Sequence, residues 1–138
     1  MTLLDWKKFK WFTPSENWGN PLLMDIELIE KLELMRDIAG SPFRIHCGNQ
    51  PEKKHVTNSF HYVGQAVDGH FESLSMIDAF LIIEKCFFGG IGLYPQWNQK
   101  HGGFHLDTRK VNAGNRWIQY GGLYITLNEK NFKLCEGV

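Results

Sequence analysis

A chain of 138 residues, 43% hydrophobic and 14% aromatic, is long enough to bury a core and suits one compact domain spanning residues 1–138. Fifteen basic and fifteen acidic residues cancel, which removes the electrostatic footprint expected of a nucleic-acid or anionic-membrane binder. The aromatic content and the lack of low-complexity segments exclude a disordered chain, and composition alone assigns no chemistry.

Residues 1–19, with Trp6, Phe9, Trp11, Phe12 and Trp18, read as an aromatic arm that wraps the core. Asn20-Pro21 offers a helix start, a capping side chain followed by proline at the first helical position. Leu22, Ile26, Ile29, Leu32, Met35 and Ile38 or Ala39 then recur at three- and four-residue steps. That spacing predicts an amphipathic helix stopped by Gly40 and Pro42, with Asp25, Glu27, Glu30 and Glu33 on its wet face. Phe43 to Cys47 reads as a strand, Gly48 to Asn58 as a polar loop, and Ala66 to Phe71 as a second strand. Ser73 or Ser75 caps a second helix whose inner side is Met76, Ala79, Phe80, Ile83 and Phe87, ending at Gly89-Gly90. Strands follow at Gly90 to Tyr94 and Gly103 to Asp107. A closing hairpin joins Trp117 to Gln119 and Leu123 to Leu127 across Gly121-Gly122. The expectation is an α+β domain with two main helices and a small, mainly antiparallel sheet.

The first ten residues carry no apolar segment of the secretory kind, so synthesis in the cytoplasm is expected. The most apolar run, Met76 to Ile83, is too short to span a bilayer. Cys47, Cys86 and Cys135 are odd in number and widely spaced, and read as buried thiols rather than as a disulfide framework.

Chemistry concentrates in Ser59-Phe-His61-Tyr-Val-Gly64-Gln-Ala66-Val-Asp68 and in Gly102-Gly-Phe-His105-Leu-Asp107. A turn at Gly64 lets His61 and Asp68 converge, and His105 and Asp107 share one face of a strand. Imidazole and carboxylate from two segments suit a zinc site with one side open. The pattern S-x-H-x-x-G-x-A-x-D, the later H-x-D and the intervening Gly89-Gly-Ile-Gly-Leu-Tyr-Pro95 together resemble the zinc D-alanyl-D-alanine carboxypeptidase and L,D-endopeptidase family. That family shares its fold with the hedgehog signalling domain, and the nearest pattern is that of its short phage and bacterial cell-wall peptidases.

The resemblance implies zinc held by His61, Asp68 and His105, and activated water attacking a peptide bond of a peptidoglycan stem or cross-link. Ser59 is then expected to hold the loop or bond within the site. The carboxylate or histidine that relatives carry just before the last ligand is replaced by Gly102 and Gly103. The general base therefore falls to Asp107 in preference to His101, with orientation of His105, or simply capping a turn or pairing with Arg109, as equal alternatives for Asp107. Where relatives place a substrate-binding arginine, this chain has Gln50, a neutral donor, with Arg109 or Arg44 left to supply charge. Trp97 and Trp117 either line a groove or pack on the sheet; His46 faces either side of its strand, His55 reads as solvated in a charged loop, and His70, two residues after Asp68, borders the site. The expected enzyme is a monomeric zinc metallopeptidase without nucleic-acid or membrane partners, acting on the wall after release or as part of a virion. The alternative is a relative of weak or no turnover that binds rather than cuts.

Overall fold

The computed structural model describes residues 1–50, 59–110 and 115–138. Its elements are α1 (Leu3–Trp6), α2 (Ile26–Ala39), β1 (Phe43–Cys47), β2 (Ala66–Phe71), α3 (Met76–Glu84), β3 (Gly90–Tyr94), β4 (Gly103–Asp107), β5 (Asn115–Tyr120), β6 (Leu123–Thr126) and α4 (Glu129–Phe132), with short 3-10 turns at Pro21–Leu23, Phe60–Val63 and Lys133–Cys135. The strands form an open six-stranded sheet in the order β1-β2-β4-β3-β5-β6. Every pairing is antiparallel except β3 with β5, which is parallel. The molecule is thus α+β, as its interleaved helices and short strands predict.

Alternation along the strands separates two faces. Val67, Phe71, Ile91, Leu93, Phe104, Leu106 and Ile118 join Leu28, Ile29, Leu32 and Met35 of α2 and Met76, Ala79 and Ile83 of α3 in one buried cluster. Asp68, His70, His105, Asp107, Gly92 and Trp117 alternate with those strand residues and so belong to the opposite face. Chemistry and core therefore occupy opposite sides of the same strands.

The arm of residues 1–19 packs as predicted apart from its first turn, α1, which Thr2 and Asp5 close with a capping box. Trp6, Phe12 and Trp18 are buried, with Trp6 and Phe12 each in ring contact with Trp18. Glu33 is not part of a purely wet face, because its carboxylate accepts the backbone N–H groups of Trp11 and Phe12 and so pins the arm to α2.

Two helix boundaries differ from the sequence reading. Asn20 caps only the 3-10 turn, and α2 starts at Ile26 under Asp25, whose side chain accepts from the backbone N–H of Glu27. Leu22 and Ile38 are accordingly exposed, and the buried stripe shifts to include Leu28. Phe87 is exposed with a left-handed φ of 63°, since α3 has ended at Glu84. Gly89-Gly90 therefore leads into β3 instead of closing the helix. The hairpin turn at Gly121-Gly122 has both φ angles positive, at 58° and 78°, the geometry that Gly-Gly allows without strain. Most of the polar loop of residues 48–58, with His55, lies outside the described residues.

The β1–β2 ladder carries an irregularity. Between Ile45 and Cys47 its register shifts: Ile45 faces Gly69 and Cys47 faces Asp68, so His46 is the extra residue of a bulge. The bulge brings Cys47 opposite Asp68, where a regular ladder would have placed His46.

Candidate metal centre

His61, Asp68 and His105 come together. Ser59 caps the 3-10 turn that carries His61, its hydroxyl accepting the His61 backbone N–H at 3.2 Å. Gly64 ends that turn in the left-handed region (φ 71°), where a Cβ would lie 1.9 Å from the Leu23 carbonyl oxygen. Only glycine lets the chain reverse there and enter β2 at Ala66. Asp68 and His105 are direct cross-strand partners on β2 and β4.

Each imidazole is held from behind and offers its other nitrogen to the same carboxylate oxygen. His61 donates from Nδ1 to the Gly48 carbonyl at 3.0 Å and presents Nε2 to Asp68 Oδ1 at 3.2 Å. His105 donates from Nε2 to Asp107 Oδ2 at 2.9 Å and presents Nδ1 to Asp68 Oδ1 at 2.9 Å. The two rings stand edge to face with centroids 5.1 Å apart. Asp107 has no solvent exposure, and Arg109 engages it through both its backbone N–H and its guanidinium, the closest contact being 2.6 Å.

The charges follow from these contacts. Burial opposes the His61 cation, but hydrogen bonds to Asp68 and Cys47 outweigh it and push the imidazolium up to about 9. Burial likewise opposes charge on His105, and Asp107 and Asp68 overcome it, again to about 9. Burial would raise Asp68, yet His105 and His61 hold its carboxyl well below the usual carboxylate range. Asp107 is also held low, against burial, by His105 and Arg109. Both inner ring nitrogens therefore face one carboxylate oxygen. A divalent cation set between the inner nitrogens would leave the outer ring protons on His61 Nδ1 and His105 Nε2, still donated to the Gly48 carbonyl and to Asp107.

A further donor emerges beside this pair. Cys47, His61 and Asp68 place one ligand atom each within 4.8 Å of one another, and this buried group could hold a metal ion. Cys47 Sγ lies 4.0 Å from His61 Nδ1. The donor set, thiol, imidazole and carboxylate, suits a transition-metal ion, and His105 stands outside that group and shares only its Asp68 oxygen. Sequence spacing did not flag Cys47, because only the bulge in β1 brings it opposite Asp68.

The remaining predicted residues are placed differently from one another. Gln50 is buried and donates from Nε2 to Asn17 Oδ1 at 2.8 Å, tying the end of β1 to the aromatic arm. The Arg109 guanidinium lies over the rings of Phe60 and Trp117 while it binds Asp107. Trp117 reaches across Gly92 to within 5.3 Å of the His105 ring and donates from Nε1 to the Tyr94 hydroxyl at 3.2 Å. Trp97 stacks on Tyr94 at 4.4 Å. The glycine positions explain this seating: a Cβ on Gly92 would stand 2.5 Å from the Trp117 ring, and one on Gly103 would stand 2.1 Å from the Trp97 ring. Two indoles and a phenol thus wall the face that carries the imidazoles, so the tryptophans both pack on the sheet and line the site.

Among the described residues no helix is long and apolar enough to cross a membrane. No protein-family model, curated protein or solved structure matches the chain. The functional reading therefore stands on the residues and their geometry.

Proposed function

We propose that the chain is a zinc-dependent peptidase of the hedgehog/DD-peptidase fold, hydrolysing peptide bonds in peptidoglycan stems or cross-links. The observation that carries this reading is the convergence of His61 Nε2 and His105 Nδ1 on one Asp68 oxygen, each ring braced at its far nitrogen. Metal-ligating histidines are dressed in this way, because the outer hydrogen bond fixes the tautomer and makes the inner nitrogen a better donor.

In this reading His61, Asp68 and His105 hold the ion, with Cys47 as the competing third ligand. Zinc when bound supplies Lewis acidity toward the scissile carbonyl and activates water at neutral pH. Ser59 is a positioning residue that fixes the His61 turn. Asp107 is better suited to orienting His105 than to serving as the general base, because it is fully buried and already engages His105 and Arg109. Arg109 in turn holds Asp107 and lies against Trp117. The walls built by Trp97, Tyr94 and Trp117 favour an extended peptide laid along the sheet face. The protein would meet its substrate after release to the wall or as a virion component.

A second reading draws on two of the same observations. With Asp107 buried and Gln50 tied to Asn17, the residues expected to move protons and bind substrate are occupied elsewhere. A metal-holding relative that binds wall peptides with little turnover fits these contacts.

The deciding experiment is hydrolysis of several purified wall types by zinc-loaded protein, with and without chelator, alongside His61→Ala. Chelator-sensitive release of new amino groups that His61→Ala abolishes supports the peptidase. Metal-dependent wall binding without release supports the second reading, and neither activity from folded, zinc-loaded protein sinks both.

A further inference from the structure

The described histidines outside the centre are not scattered. His46, the extra residue of the β1 bulge, meets His70 of β2 through Nε2 and Nδ1 in direct hydrogen-bond contact, with ring centroids 4.7 Å apart. A nitrogen–nitrogen hydrogen bond needs a lone pair on one of the two rings, so at least one imidazole is in the form that ligates metals. Trp97 closes the pair from one side, its ring 5.5 Å from that of His46. His101 lies near enough for its charge to bear on His70, and its Nδ1 is buried without a hydrogen-bond partner.

We infer that His46 and His70 form a second cation site, one that takes a divalent transition metal of imidazole preference such as Cu2+, Ni2+ or Zn2+. The two nitrogens already point at each other across the β1–β2 ladder. An ion about 2.0–2.1 Å from each, at a tetrahedral angle, asks them to stand roughly 3.3 Å apart, a small ring rotation from the present contact. Imidazole pairs favour these metals over Mg2+ and Ca2+, which require oxygen ligands. The partly buried pair leaves coordination positions for water or for a carboxylate. His70 follows Asp68 by two residues on the same strand face, about 6.6 Å along the chain. That spacing exceeds the ~3.5–4 Å of bridged two-metal centres, so the ion is separate from one held by His61 and Asp68. This second site does not depend on whether the first centre cleaves peptides.

The test is calorimetric titration of metal-free protein with Zn2+, repeated with Cu2+ under continuous-wave electron paramagnetic resonance. The wild type is expected to bind two equivalents, the weaker giving a nitrogen-coordinated copper signal. His46→Ala and His70→Ala, and the more conservative His70→Gln, should each weaken that equivalent at least tenfold and keep the other. A single equivalent abolished by His61→Ala and unaffected by His70→Ala overturns the inference. Two equivalents that survive all three His46 and His70 variants overturn it as well. A single equivalent lost in His70→Ala alone sustains the inference and instead removes the first centre.

Discussion

Asp107 takes the outer ring nitrogen of His105 at 2.9 Å from two residues further along the same strand face. This contact sets the tautomer of the one imidazole that reaches Asp68 from β4. Replacing the carboxylate with an amide keeps its shape and removes its charge. Asp107→Asn is therefore expected to lower zinc affinity about 10–100-fold with the fold retained. Competition against a chromophoric chelator measures the loss, and unchanged affinity would deny Asp107 its positioning role.

Asp107→Ala should behave differently. It leaves the Arg109 guanidinium without the carboxylate that binds it at 2.6 Å, in a largely enclosed position. Breaking such a pair costs about 3–5 kcal/mol when it is deeply buried, and Arg109 keeps some solvent contact, so roughly half of that is expected. Urea denaturation of metal-free protein reads it directly, and the Ala variant should unfold well before the Asn variant.

The metal-free protein should have a stability plateau between about pH 4 and 6.5. His61 and His105 are raised from 6.5 to about 9, so their contribution is complete below 6.5 and lost as pH climbs through 9. Asp68 and Asp107 are lowered from 3.8, so theirs is complete above that value and lost as pH falls toward their folded-state values. Zinc must displace the two inner ring protons, so its apparent affinity should rise with pH up to about 9. Melting temperature against pH, with zinc and with chelator, separates the two regimes. An alkaline decline that zinc leaves untouched would contradict the assignment of these imidazoles as ligands.

Gly64→Ala is expected to abolish metal binding, since it combines a left-handed φ with overlap on the Leu23 carbonyl. Gly122→Ala supplies the control: its φ is also positive, at 78°, but a Cβ there meets nothing within 4 Å. That variant should lose about 1 kcal/mol and bind zinc normally. Equal effects at the two sites would show that backbone strain alone, without the close approach to Leu23, decides the outcome.

Gly92→Ala probes the aromatic wall without touching a candidate ligand. The added Cβ falls 2.5 Å from Trp117 Cε2, so the indole must leave its seat beside His105. Overpacking of this kind typically costs about 1–3 kcal/mol. Tryptophan emission should shift and handling of wall peptide should fall, with zinc stoichiometry unchanged. A variant with native emission would place Trp117 elsewhere in solution.

The strands at 43–47, 66–71, 90–94 and 103–107 were legible from short runs of strand-forming residues bounded by glycine and proline, the two-residue spacing put His105 and Asp107 on one face, and the turn at Gly64 brought Asp68 toward His61. The start of α2 was not, because two capping residues five apart, Asn20 and Asp25, each precede helix-compatible residues, and the choice falls to the packing of the arm. Phe87 read as an inward residue since periodicity carries no mark of the helix end at Glu84 or of the left-handed residue that follows it. Cys47 and the His46–His70 pair were hidden for a deeper reason. Both depend on the one-residue bulge between β1 and β2, and cross-strand register leaves no trace in linear spacing.

The strand order also divides labour within the molecule. Because β4 lies between β2 and β3, Asp68 and His105 become neighbours only in the middle of the sheet, where neither strand has a free edge. The hairpin of β5 and β6 hangs outboard of β3 and carries Trp117, whose ring sits beside that of His105. Substitutions within residues 115–126 can therefore reshape the aromatic wall beside His105 while leaving Cys47, His61, Asp68 and His105 untouched.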